Sequence, residues 1–340
     1  MRPSRKRVAL ITGGAGFIGV NVARSFMARG WRVSVFDDLS RKGTRGNLEW
    51  LKSQGPVDFR LGDVRSLPAV RRWVAGWPGA EVVFHLAAQV AVTTSVTDPQ
   101  TDFERNARGS FNVLEAVRCS GLRPLLVYSS TNKVYGGMEE VRVRLRGARY
   151  GYCGLPRGVP ETQPLDFHSP YGCSKGAGDQ YFHDYHRIYG LPTVVFRQSC
   201  IYGQHQNGTE DQGWLAHFMM AAQAGKGITV YGDGMQVRDV LHVDDLVELY
   251  WTAVRKRGLC AGRVYNIGGG PGNLLSLLEL IAWIRQRGVR LSAAKSGWRP
   301  GDQRVYISDI SKAKAELGWS PRIRVREGLR LLWDWLRARR

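Results

Sequence analysis

The sequence predicts an α/β protein: a doubly wound parallel sheet of the Rossmann type with a smaller C-terminal substrate-binding lobe. Three observations predict it. A β-branched run breaks into a glycine turn and then an amphipathic stretch, an acid follows about 20 residues later, and strand-like and helix-like segments then alternate as in parallel βαβ units.

Arg7 to Thr12 reads as the first strand, followed by Gly13-Gly14-Ala15-Gly16-Phe17-Ile18-Gly19 and a helix through about Arg29. Such glycines permit a tight turn and let the backbone approach a pyrophosphate at a helix N-terminus. Gly13, Gly16, Phe17, Ile18 and Gly19 are therefore candidate cofactor contacts. Arg32 to Phe36 reads as the second strand and ends in Asp37-Asp38. Asp37 can accept from a ribose 2′-hydroxyl and would repel a 2′-phosphate, so the expected cofactor is NAD rather than NADP. Arg41 and Lys42 act in the opposite sense.

Val57 to Arg60 precedes Gly62-Asp63-Val64, and Glu81 to His85 precedes Leu86-Ala87-Ala88-Gln89. A helix from about Thr101 to Cys119 carries Asn106, and the strand from Pro124 to Tyr128 runs into Ser129-Ser130-Thr131-Asn132-Lys133. Ligands of such sheets bind at the carboxyl ends of the strands. Asp38, Asp63, Val64, Leu86, Ala87, Ala88, Gln89, Asn106, Ser129 and Ser130 are accordingly expected around the cofactor. His85, at the end of a buried strand, is expected to satisfy its surroundings rather than to catalyse.

Gly136 to Pro164, rich in glycine, proline and arginine, reads as an insertion bordering the site. A helix from about Tyr171 to Tyr189 and a strand from Thr193 to Arg197 follow. Beyond them come a polar stretch from Gln204 to Gln212, a helix over Trp214 to Ala224, short strands and a helix over Val243 to Arg257; contacts there are expected to be to substrate. Residues 1–200 form the expected NAD-binding domain, with returning segments at about 237–270, and residues 201–340 form mainly the substrate lobe.

Tyr171 and Lys175, four residues apart, share one helix face. A free phenol with a pKa of about 10 is only about one part in a thousand deprotonated at pH 7, a penalty of roughly 4 kcal/mol for a general base. A cation within ~4–6 Å lowers an acid by ~1–3 units, so lysine alone is marginal and a positively charged nicotinamide must add to it. The pair thus depends on the glycine turn upstream.

An apolar fraction of 43% and a charged fraction of 23% exclude a disordered chain. The five cysteines have no paired CxxC spacing, which argues against structural zinc or a disulfide framework and for a reducing cytosol; no metal is expected. No apolar run approaches the ~20 residues that span a bilayer, and Val8 to Ile11 is too short for a signal peptide. The net charge of +20, mostly arginine, would steer anionic substrates and attract nucleic acid non-specifically. A nucleic-acid-binding protein that keeps the fold is the remote alternative; no specific nucleic acid and no membrane partner are expected.

Gly13 to Gly19, Asp37, Asp63, Thr131, Tyr171, Lys175 and Arg238 together resemble the pattern of the extended short-chain dehydrogenases that act on nucleotide sugars. Within that family the chain looks most like the CDP-paratose 2-epimerases, also called CDP-tyvelose epimerases. The resembling stretches include Ser130 to Gly136, Leu165 to Lys175, Phe196 to Gly203, Gly208 to Trp214, Gln236 to His242 and Asp302 to Asp309.

The resemblance implies epimerisation through a transient 2-keto sugar without net redox change. Tyr171 would take the hydroxyl proton, Lys175 would lower the phenol's pKa and hold the nicotinamide ribose, and Thr131 would bond the reacting oxygen. Thr131 and Asn132 would contact the sugar, and Arg238 and Arg299 would clasp its diphosphate. Dehydratases of the family place an Asp-Glu pair where this chain has Asn132-Lys133, so water elimination is not expected. A UDP-sugar 4-epimerase is the alternative, and a homodimer or higher homo-oligomer built on the helices Thr101 to Cys119 and Tyr171 to Tyr189 is implied.

Overall fold

The computed structural model describes residues 7–299 and 302–339. Its strands are, in chain order, β1 (Val8–Thr12), β2 (Arg32–Asp37), β3 (Asp58–Leu61), β4 (Ala80–His85), β5 (Leu125–Thr131), β6 (Val143–Arg146), β7 (Arg149–Tyr152) and β8 (Thr193–Gln198). There follow β9 (Cys200–Tyr202), β10 (Ile228–Tyr231), β11 (Val237–His242), β12 (Arg263–Ile267), β13 (Leu274–Ser276), β14 (Ala293–Ser296) and β15 (Val305–Tyr306). Seven of these form the central sheet in the order β12-β8-β5-β4-β1-β2-β3, with each neighbouring pair parallel. The strand order reverses between β1 and β4, which opens a crevice at their carboxyl ends.

Buried parallel strands read as continuous apolar runs because both faces are covered, and the period of two then divides the side chains. Ala9 and Ile11 pack with Val33, Phe84, Val127 and Phe196 against Phe26, Leu249 and Tyr250. Val8 and Leu10 pack with Val83, Leu126 and Tyr128 on the other face against Trp73, Leu114 and Phe182. A separate core, with Leu215, Met219, Val230, Ile281 and Trp333, packs around β9, β10 and β11.

Two segments differ from the sequence reading. The expected helix from Thr101 to Cys119 is divided into Pro99–Phe103, a π-turn at Glu104–Arg108 and Gly109–Ser120. The wider turn carries Asn106, and a Cβ on Gly109 would stand 2.7 Å from Val64 Cγ2, so glycine lets the helix pack on that loop. The insertion after Gly136 contains the antiparallel hairpin β6–β7, whose Tyr150 and Tyr152 pack with Tyr306 and Val305. Among the described residues no helix is long and apolar enough to cross a membrane.

Candidate active site

Gly13 to Gly19 leave β1 and turn into the helix Phe17–Ala28. Gly13 has φ +68°, and a Cβ there would lie 2.6 Å from the Ala87 nitrogen, so the loop after β4 sits directly against the turn. Asp37 ends β2 and ties it to the same turn, its Oδ2 accepting from Ala15 N–H at 3.0 Å and its Oδ1 from Leu39 N–H at 2.8 Å. Burial pushes its carboxyl pKa up, and the two amides oppose that shift. Burial works the same way on Asp63, but Arg65, bonded through its side chain and its backbone, outweighs it and holds the carboxyl low.

These groups line one cleft together with Gly16, Phe17, Ile18, Gly19, Asp38, Val64, Leu86, Ala87, Ala88, Ser129 and Ser130. Thr131, Tyr171 and Lys175 close its end. Gln89 and Asn106 lie outside that lining. The Asn106 amide bonds the Gln89 backbone in both directions, at 2.9 and 3.0 Å, and reaches Ser174 at 3.1 Å, so the two brace the cleft from behind. His85 is likewise structural, held by the Thr12 hydroxyl at 2.7 Å and the Ser110 hydroxyl at 3.0 Å; burial pulls its pKa down to about 3 and keeps it neutral.

Tyr171 and Lys175 stand in the first turns of the helix Ser169–Tyr189, which Pro170 helps to start. Ser169, just before them, takes φ +68° without being glycine, and its hydroxyl accepts from Gly172 N–H at 3.2 Å. Burial pushes the Tyr171 phenol up to about 12; the Thr131 hydroxyl bonded to it and the Arg41 charge act downward, and Asp102 acts upward. The Lys175 ammonium lies 4.3 Å from the centroid of the Tyr128 ring, and burial pulls it down to about 7 against the pull of Asp179 and Asp102. Without a bound cation, then, this site holds its phenol protonated at neutral pH.

A second cavity meets the first at Gln212 and is lined by Lys133, Glu210 to Trp214, Tyr231, Arg238, Arg299 and Asp302 among others. Arg238 donates to Asp302 at 2.6 Å and to the Gln303 carbonyl at 2.7 Å. Arg299 lies 3.7 Å from the Tyr231 ring centroid and donates to the Glu210 carbonyl at 3.1 Å. Asn132, bonded through its Oδ1 to the Thr131 hydroxyl at 3.3 Å, lines neither cavity.

The chain matches the NAD dependent epimerase/dehydratase family over residues 9–268. It belongs to that family. The CDP-paratose 2-epimerase of Salmonella typhi is 45% identical over 332 residues, covering 96% of this chain and 98% of that one. The UDP-glucose 4-epimerase of Thermotoga maritima, solved with UDP-glucose, has a TM-score of 0.84 at 31% identity and covers 98% of this chain and 99% of its own. The dTDP-glucose 4,6-dehydratase of Streptomyces venezuelae, solved with NAD, has a TM-score of 0.83 at 29% identity, with 97% of each chain covered. The cofactor of this epimerase/dehydratase is NAD.

The cleft fits that cofactor on its own evidence. Asn47 Oδ1, Arg105 Nε and Gln206 Oε1 belong to residues of its lining and are buried without a hydrogen-bond partner, which a polar ligand would supply. Sequence reasoning missed these residues. It assigned the stretch after Gln204 to substrate, whereas His205, Gln206 and Asn207 line the first cleft. Asn21 and Asn47 draw that loop over the cleft by donating to the carbonyls of Gln204 at 3.0 Å and His205 at 3.3 Å, contacts too distant in sequence for periodicity to reveal.

Proposed function

We propose that this enzyme is an NAD-dependent nucleotide-sugar 2-epimerase that interconverts CDP-paratose and CDP-tyvelose. The observation that carries the proposal is the joining of Thr131, Tyr171 and Lys175 in the lining of the dinucleotide cleft, with Lys133, not a carboxylate, in the lining of the adjoining cavity. The 45% identity to a CDP-paratose 2-epimerase supports the sugar and the base.

Gly13, Gly16 and Gly19 would admit the pyrophosphate of the cofactor, and Asp37 its adenosine ribose, with Phe17, Ile18, Asp38, Asp63, Val64, Leu86 to Ala88, Ser129 and Ser130 forming the walls. Bound NAD supplies a hydride acceptor that returns what it takes, and a positive charge. Tyr171, as phenolate, accepts the proton of the C2 hydroxyl at its phenolic oxygen and later gives it back. Thr131 bonds the same sugar oxygen and orients it. Lys175, beside the cleft, holds the nicotinamide ribose. Arg238 and Arg299 hold the diphosphate by charge-assisted hydrogen bonds. With Asn132 and Lys133 in place of two carboxylates, the chain has no acid/base pair there for expelling water.

An exposed apolar face on the helices Gly109–Ser120 and Ser169–Tyr189, with Phe111, Tyr181 and Ile188, supports assembly with a second copy of the chain, as a homodimer or higher homo-oligomer. Five free cysteines fit a cytoplasmic location.

The test is incubation with CDP-paratose and, separately, UDP-galactose. Conversion of CDP-paratose to its C2 epimer is expected; turnover of the UDP-sugar alone would end the 2-epimerase reading.

A further inference from the structure

Two side-chain atoms of residues lining the second cavity, Thr93 Oγ1 and Gln236 Oε1, are buried and lack a hydrogen-bond partner among the described residues. Gln236, between β10 and β11, spends its amide nitrogen on the Tyr231 carbonyl at 2.7 Å. Thr93 comes from the segment after β4, on the short helix Val92–Thr97. Leaving a buried hydroxyl unpaired is unfavourable, so its presence in a cavity wall points to a ligand that pairs it.

The segment that carries Thr93 is firmly braced. Gln89 grips Ala91 in both directions, donating to its carbonyl at 2.8 Å and accepting from its N–H at 2.5 Å. The Ser95 hydroxyl donates to the Val92 carbonyl at 2.7 Å and accepts from the Tyr171 N–H at 3.1 Å. Thr93 is therefore fixed relative to Tyr171 through a single serine. The same segment serves both cavities, since Val90 lines the first and Val92 and Thr93 line the second.

On the 2-epimerase reading, the reacting carbon meets Thr131 and Tyr171 in the first cavity and the diphosphate meets Arg238 and Arg299 in the second, so the sugar ring spans the two. Resting on that reading, we propose that Thr93 is a substrate-binding residue whose hydroxyl bonds the C4 hydroxyl of the sugar. Paratose and tyvelose are 3,6-dideoxy sugars. With C1 carrying the diphosphate and C2 reacting, C4 bears the one hydroxyl left for the protein to hold. Val90 and Val92 give this wall apolar surface, which suits the deoxy carbons C3 and C6, and Thr93 supplies a hydroxyl that can donate or accept.

The test is steady-state kinetics with CDP-paratose and with its 4-deoxy analogue, on the wild type, Thr93→Val and Thr93→Ser, alongside calorimetry of CDP against each NAD-loaded protein. Valine keeps the shape of threonine and removes the hydroxyl. Thr93→Val is expected to lose about tenfold in kcat/KM on CDP-paratose, as for one hydrogen bond to a buried group, and to stay within about twofold of the wild type on the 4-deoxy analogue. CDP, which carries no hexose, should bind all three proteins within about twofold, and Thr93→Ser should recover most of the loss. A loss that carries over to the 4-deoxy analogue, a matching loss in CDP affinity, or no loss at all would overturn the proposal and leave the 2-epimerase reading standing. A wild type that does not epimerise CDP-paratose would overturn both. NAD content and thermal midpoint, measured in each variant, report that it is folded.

Discussion

The carboxylate of Asp179 receives both arms of the Arg197 guanidinium, from Nε at 2.9 Å and Nη2 at 2.8 Å, one helical turn beyond Lys175. The two side chains are 0% and 5% exposed, and Ser130, from the strand that ends at Thr131, donates to the same carboxylate at 2.7 Å. The pair therefore joins the helix of Tyr171 to the strands of Thr131 and Gln198. Removing one partner leaves the other charge buried alone, so Asp179→Ala is expected to lose about 3–5 kcal/mol of stability in denaturant unfolding. The double variant Asp179→Leu with Arg197→Met should lose less. A loss for Asp179→Ala near that of an exposed pair, about 1 kcal/mol or less, would refute this.

The Tyr171 phenol is held up near 12 by burial, and its base form is the deprotonated one. A raised pKa therefore means less base at neutral pH, and positive charge brought by oxidised NAD must act in the other direction. One tyrosine's worth of phenolate absorbance is expected to rise at lower pH in protein loaded with NAD than in the same protein after reduction to NADH, and that redox-dependent difference to be missing from Tyr171→Phe. Titrations that coincide in the two redox states would show that the cofactor's charge does not tune this base. Turnover of Tyr171→Phe should fall by about 10²–10⁴, the usual worth of a general base, with NAD content unchanged.

Asp37 fills both of its oxygens with backbone amides at the cleft wall, which fixes its negative charge where a 2′-phosphate would have to sit. Denatured protein is expected to release NAD and no NADP on chromatography. Asp37→Asn keeps the side-chain shape, removes the charge, and should narrow the NAD over NADP preference by about tenfold, as for one unfavourable charge contact. An unchanged preference would place the discrimination elsewhere.

Much of this was legible in the chain because local pattern and local function coincide in it. The glycine turn, Asp37 and the Tyr171–Lys175 pair each lie within one strand–turn–helix unit, where spacing alone sets direction. The loop at His205 to Asn207 was not legible, since Asn21 and Asn47 hold it through carbonyls far along the chain. Asn106 was expected at the cofactor because of its place after a strand end. The π-turn that carries it aims its amide at Gln89 and Ser174, and periodicity does not register one extra residue per turn. The balance at Tyr171 was also out of reach, because desolvation depends on everything packed around the phenol.

Phe111 and Tyr181 meet edge to face at 5.9 Å on the exposed surface of their two helices, 37% and 46% exposed. Phe111→Glu places a charge on that face at little cost to the monomer fold, so sedimentation should show the wild type as a dimer and the variant as a monomer. A monomeric wild type would remove the proposed interface.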